Sequence, residues 1–215
     1  MIRIAIDGPG GAGKSTIAKR IAKEKDIDYI DTGAMYRAIA YKMAQKGIEA
    51  KSSKVLEEML DDTDIDFSKG NIYLDGENVN DKIRTPEISM KASECSSLPE
   101  VRKKLTDLQR GMAASKSIIM DGRDIGSNVL PDAEFKFFLT ADAMERAKRR
   151  YDELIAKGES ANLNEVYEDI RQRDHNDMTR KLNPLRQAPD AILVDTTDMN
   201  IEEVITHICG IIDGK

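Results

Sequence analysis

The chain has 215 residues, 33 lysines and arginines against 39 acids, a formal charge of −6 and 40% hydrophobic residues. That length suits one main domain with room for an insertion, and an acidic balance without a long basic run argues against a general nucleic-acid-binding face. Two cysteines (Cys95, Cys209) and two histidines (His175, His207) form no C-x-x-C pair, disulfide framework, histidine metal site or triad.

Ile2-Arg3-Ile4-Ala5-Ile6 reads as a short strand, and Ile17, Ala18, Ile21 and Ala22 recur at helical spacing. Between them stands Gly8-Pro9-Gly10-Gly11-Ala12-Gly13-Lys14-Ser15-Thr16, which fits G-x-x-x-x-G-K-[ST] in the strand–loop–helix context that motif requires. Such a loop aims successive N–H groups at a polyphosphate on a helix N-terminus. Lys14 would reach the β- and γ-phosphates, and the Ser15 hydroxyl would sit on Mg²⁺. A nucleoside triphosphate is therefore expected here. With a strand starting at residue 2 and no apolar run of membrane-spanning length, neither signal peptide nor membrane span is expected, and a cytoplasmic protein is the reading.

Residues 27–31 predict a second strand. Thr32 follows as an N-cap, and Met35, Ile39 and Met43 mark the apolar face of a helix ending near Gly47. Arg37, one turn in, would point to the crevice beyond the strand ends. A short helix (residues 53–60) leads into three strand-like runs at 65–67, 71–74 and 77–79. Lys69-Gly70 and Asp75-Gly76 mark the turns between them, a small antiparallel sheet inserted in an alternating α/β chain. Pro86 and Pro99 each open a helix, to about Cys95 and Met112.

Ser117–Asp121 is an apolar strand ending in a carboxylate, a Walker-B-like placement, followed by Gly122-Arg123-Asp124-Ile125-Gly126. A charged pair between glycines at a strand's carboxyl end sits where ligands bind in a parallel sheet. Phe135–Leu139 is the next strand, with Asp142 capping a helix that carries Arg146, Arg149 and Arg150. The helix from Leu163 carries Arg171, Arg173, Asp174 and Asp177, with Arg180 just beyond. Arginines among acids usually make solvated faces, but opposite a P-loop they suggest a lid that excludes water. Ala191–Asp195 and residues 201–212 give a last strand and helix.

The fold expected is α/β: a P-loop NTPase fold with a five-stranded parallel sheet flanked by helices, a small inserted antiparallel sheet and a helical lid. Its parts would be a core (about 1–37, 97–144 and 187–215), an insertion (about 38–96) and a lid (about 145–186). No Asn-Lys-x-Asp or D-x-x-G stands where a GTPase switch needs it. Arg37, Arg123, Arg173 and Arg180 come from separate segments and suit a different task, holding a phosphate-bearing acceptor in line with the donor.

Asp31-Thr32-Gly33-Ala34-Met35-Tyr36-Arg37, Asp121-Gly122-Arg123-Asp124-Ile125-Gly126, and Arg171-Gln172-Arg173-Asp174 followed by Asp177 and Arg180 resemble the bacterial cytidylate kinase family over essentially the whole chain. The resemblance implies direct in-line phosphoryl transfer from MgATP to CMP or dCMP. It places residues 8–16 on ATP with Lys14 on its phosphates, Arg37, Arg123 and Arg180 on the acceptor phosphate, and Arg173 with Asp177 on the ribose, with Thr32 among the acceptor-binding residues. Ser93, Arg102 and Asp124 would read cytosine. A carboxylate accepts from the N4 amino group of cytosine but faces a carbonyl in uracil. A hydrogen bond to a charged group, worth about 1.5–3 kcal/mol, would give roughly ten- to hundredfold preference. Gly10 departs from family members that carry Ser there. A kinase that also accepts UMP, or a non-catalytic ATP-binding regulator, are the alternatives, and a monomer is expected.

Overall fold

In the computed structural model, which describes residues 1–68 and 70–214, the chain divides into two compact units. One comprises Met1–Tyr29 and Lys116–Lys215, the other Ile30–Ser115.

The first unit carries the parallel sheet. Its strands are β1 (Arg3–Asp7), β2 (Asp28–Asp31, whose last two residues open the second unit), β6 (Ile118–Gly122), β7 (Phe135–Thr140) and β8 (Ile192–Asp195), in the order β2-β6-β1-β7-β8. Parallel pairing sets Asp7 beside Gly122 and Ile6 beside Asp121, so the chemistry-bearing residues end together at the carboxyl ends of β1 and β6. The central strands β1, β6 and β7 read as near-continuous apolar runs because helices cover them, whereas the edge strands β2 and β8 are more polar or more exposed. Helix α1 (Lys14–Lys25) and helix α8 (Ile201–Asp213) bury Ile17, Ile21, Val204, Ile205 and Ile208 against Ile4, Ile6, Phe137 and Leu139. A capping box at Asn200 and Glu203 starts α8. Helices α6 (Ala143–Ala156) and α7 (Leu163–Thr179) share a smaller core of Ala147, Val166 and Ile170. Asp142 caps α6 as expected, accepting from the Met144 and Glu145 N–H groups.

The second unit packs α2 (Thr32–Gln45), α3 (Lys54–Asp61), α4 (Pro86–Cys95) and α5 (Pro99–Ala113) with the antiparallel strands β3 (Ile65–Ser68), β4 (Asn71–Leu74) and β5 (Glu77–Asn78). Met35, Ile39 and Met43 are fully buried, and prolines open α4 and α5. At the Asp75-Gly76 turn both residues take positive φ (51° and 81°), the primed geometry that matches strand twist. Lys69, the first half of the other turn signal, lies outside the described residues. So small a sheet needs support. Lys42 of α2, almost wholly buried, supplies part of it by donating to the Asp62 carbonyl (2.5 Å) and pairing with Asp75 (2.6 Å).

One boundary differs from expectation. Asp31, not Thr32, is the N-cap of α2: its carboxylate accepts from the Ala34 N–H at 2.8 Å, and Thr32 is the first helical residue. A carboxylate at that position meets the positive helix end as well as an orphan N–H. Among the described residues, no helix is long and apolar enough to cross a membrane.

Candidate active site

The P-loop turns at Gly8 and Gly13. Gly8 has φ of 148°, and a Cβ there would lie 1.9 Å from the Leu139 carbonyl oxygen, so no side chain fits. Gly13, left-handed at φ 80°, is the N-cap of α1 and has no side chain to cover the helix's first N–H groups. An anion-binding end results.

Lys14 is 6% exposed and folds back over its own loop to donate to the Pro9 carbonyl at 2.7 Å. Burial foremost, then Arg123, pushes its ammonium down to about 7, against the opposing pull of Asp121, Asp7 and Asp177. Incoming phosphates would add negative charge beside the ammonium and restore the proton. Titrating MgATP into the protein at pH 8 should therefore take up close to one proton, and at pH 6 almost none. Calorimetry in buffers of different ionisation enthalpy reads this directly, and Lys14→Met should remove the uptake at pH 8.

Ser15 donates its hydroxyl to Asp121 at 2.8 Å, and Tyr29 donates to the other oxygen of Asp121 at 2.7 Å. Tyr29 was not legible as a site residue, since its partner lies far away in sequence. The hydroxyl–carboxylate pair is a hard oxygen set of the kind Mg²⁺ uses alongside substrate phosphates and water.

Beyond β6 the charges alternate. Arg123 Nε donates to Asp177 at 2.7 Å, Arg180 lies 3.6 Å from the other Asp177 oxygen, and Arg180 Nη2 donates to Asp124 at 3.2 Å. Arg180 also donates twice to the Asn183 carbonyl. The side chains of Arg180 and Asp124 are 7% and 6% exposed, so this is a desolvated network and not a surface pair. Burial works against charge at both Arg123 and Asp177. For Arg123, Asp177 and then Asp174 and Asp121 outweigh it and raise its pKa. For Asp177, Arg123 foremost, then Arg180 and Arg173, hold the carboxyl below its usual range.

The three arginines of α6 part company. Arg149 donates to Thr196, and Arg150 pairs with Glu153. Arg146 is the one that meets the P-loop: it donates to the Gly10 carbonyl (2.8 Å) and pairs with Asp174 (2.7 Å), whose other oxygen accepts from the Gly10 N–H at 3.4 Å. A Cβ at Gly10 would lie 3.7 Å from Arg123 Nη2.

In the second unit, Asp31 accepts from Arg37 at 3.0 Å and lies 3.7 Å from Arg84, a convergence that spacing alone did not reveal. The Arg37 Nε is buried and makes no hydrogen bond. Arg102 on α5 is buried, donates to the Ser96 carbonyl at 3.0 Å, and sits 5.7 Å from the centre of the Tyr36 ring. Ser96 in turn donates to the carbonyl of Ser93 at 2.7 Å, linking Ser93 and Arg102, two of the three expected base readers, to one helix end. Thus Thr32, Arg37, Ser93 and Arg102 fall in one unit, and Lys14, Arg123, Asp124, Arg173, Asp177 and Arg180 in the other.

The family model described as cytidylate kinase matches residues 4–213. A protein from Alkaliphilus oremlandii named cytidylate kinase is 49% identical over 213 residues, covering 99% of this chain and 98% of its own. One of the same name from Caldicellulosiruptor saccharolyticus is 53% identical over 211 residues, covering 96% of this chain and 93% of its own. Among solved structures, shikimate kinase from Bacteroides thetaiotaomicron aligns over 99% of this chain and 98% of its own with a TM-score of 0.51 at 13% identity, a likeness of fold alone.

Proposed function

The chain belongs to the cytidylate kinase family, and from that premise we propose how it transfers the terminal phosphate of ATP to CMP or dCMP, giving ADP and CDP or dCDP. The observation that carries the reading is the buried chain of alternating charge, Arg123–Asp177–Arg180–Asp124, in the same unit as the P-loop lysine. Arginines that already hold carboxylates can exchange part of that contact for a phosphate without the cost of being ordered afresh.

The P-loop, residues 8–16, holds the triphosphate of ATP, with Lys14 on the phosphates. Ser15, with Asp121 behind it, would hold Mg²⁺, whose chemistry is to neutralise charge on the donor phosphates. Arg37, Arg123 and Arg180 fix the acceptor phosphate. Arg173 and Asp177 meet the ribose, while Ser93, Arg102 and Asp124 read cytosine. The acceptor phosphate is itself the nucleophile and is an anion near neutral pH, so no general base is needed. Of the α6 arginines, Arg146 takes the part of neutralising charge as the phosphoryl group transfers; its bond to the Gly10 carbonyl in the P-loop supports the choice. Residues about 145–186 act as the lid, and their small separate core suits a segment that moves as a piece.

The test is ADP formation from MgATP with CMP, dCMP, UMP, AMP and no acceptor, for the natural enzyme and for Asp124→Ala. CMP and dCMP should support turnover well above UMP. Asp124→Ala should lower kcat/KM for CMP by roughly 10- to 100-fold while changing UMP much less. An unchanged CMP:UMP ratio in the variant would remove Asp124 from base recognition. Equal use of CMP and UMP by the natural enzyme would make it a broader pyrimidine monophosphate kinase.

A further inference from the structure

Asp7 ends β1 and is 3% exposed. One of its carboxylate oxygens accepts from the Ile125 N–H at 2.7 Å and the other from the Gly126 N–H at 2.8 Å. Those two groups open a π-helical turn, Ile125–Val129, whose own bonds run from Val129 N–H to Asp124 O (3.1 Å) and from Leu130 N–H to Ile125 O (2.7 Å). The first N–H groups of any helical turn lack partners within it, and Asp7 supplies them across the sheet. The fit is close: a Cβ on Gly126 would meet Lys136 at 3.2 Å and the Asp7 oxygen at 3.4 Å.

A buried carboxylate is a costly way to cap one turn. Burial pushes its pKa up to about 6; the two N–H bonds oppose that rise, Asp124 adds to it, and Lys14 opposes it. What the carboxylate holds is the backbone directly after Asp124, and the Asp124 side chain accepts from Asn128 (3.0 Å) and from Arg180.

We infer that Asp7 is a positioning residue for the acceptor: its two oxygens pin the Ile125–Gly126 backbone and so set where the Arg123-Asp124 pair meets the nucleotide monophosphate. This rests on the reading of Asp124 as the carboxylate that reads cytosine. Asp7 touches neither substrate in this account.

The test compares Asp7→Asn, Gly126→Ala and Asp124→Ala with the natural enzyme by steady-state kinetics against CMP, UMP and ATP. An amide can accept only one of the two N–H bonds and turns a donor towards the other. Asp7→Asn should raise KM for CMP by about 10- to 100-fold, lower the CMP:UMP ratio and leave KM for ATP within about twofold. Gly126→Ala puts a methyl 3.2 Å from the Lys136 side chain and in contact with the Asp7 oxygen at 3.4 Å. By pressing the turn away from Lys136 it strains the Gly126 N–H bond to Asp7 and should shift the same quantities in the same direction, so the inference stays testable if Asp7→Asn does not fold. Equal losses towards ATP and CMP, or lowered thermal stability with unchanged kinetic constants and an unchanged CMP:UMP ratio, would overturn it. If Asp124→Ala alters the CMP:UMP ratio while the other two variants do not, only the positioning role fails. If none of the three alters it, the reading of Asp124 fails first.

Discussion

Lys14→Met is expected to abolish transfer to every acceptor, with kcat falling by about 10³-fold or more, while the protein remains at least as stable as before. Methionine nearly matches the lysine stem in length and keeps its packing in the buried site, but it brings no charge to the phosphates. The stability half of the prediction follows from proton linkage. The folded-state pKa of Lys14 is depressed to about 7 from 10.5, so between those values the unfolded chain binds more protons than the folded one. Its burial therefore costs stability in full below pH 7, and the cost fades as pH rises towards 10.5. Removing the amine removes the cost. Single-turnover kinetics and thermal unfolding at pH 7 check both halves together. A variant that loses activity and melts markedly lower would mean that Lys14 holds the loop together through Pro9; one that keeps its activity would end its assignment to the donor phosphates.

The parts of this molecule legible in its sequence are those governed by near neighbours. Glycine spacing and Lys14 announced the P-loop. Prolines 86 and 99 marked helix starts to the residue, because a missing N–H costs nothing there. Asp75-Gly76 announced its hairpin, and every strand of the parallel sheet was read from the sequence, the central ones from apolar runs. What stayed hidden depends on rotation or on distance along the chain. Successive residues of α6 differ by about 100° around its axis, so spacing could not tell that Arg146 faces Gly10 while Arg149 turns to Thr196. Asp7, between the first strand and the glycine loop, drew no reading, because its partners, Ile125 and Gly126, are more than a hundred residues away. Asp31 and Thr32 are both good caps, and the choice between them fell to which oxygen could reach the Ala34 N–H.

Arg180→Met should lower kcat/KM for CMP by about 10²- to 10³-fold, the range in which loss of one partner from a buried charge pair falls. Two effects combine. The proposed contact to the acceptor phosphate disappears, and the cation that Asp124 and Asp177 share disappears with it. Asp177 keeps Arg123, at 2.7 Å, so the network should loosen at its Asp124 end. Because a phosphate contact serves every acceptor, kcat/KM for UMP should fall too, in contrast to Asp124→Ala, where the loss concentrates on CMP. KM for ATP should stay within about twofold, since Lys14 and the loop backbone do not depend on Arg180. Arg180→Lys should recover only part of the loss: an ammonium restores the charge, but not the fork that donates to Asn183 and Asp124 at once. A full recovery by lysine would make Arg180 a bulk counter-charge with no orienting role. An equal fall in affinity for ATP would place it on the donor side, and the assignment of the acceptor phosphate would then rest on Arg37 and Arg123.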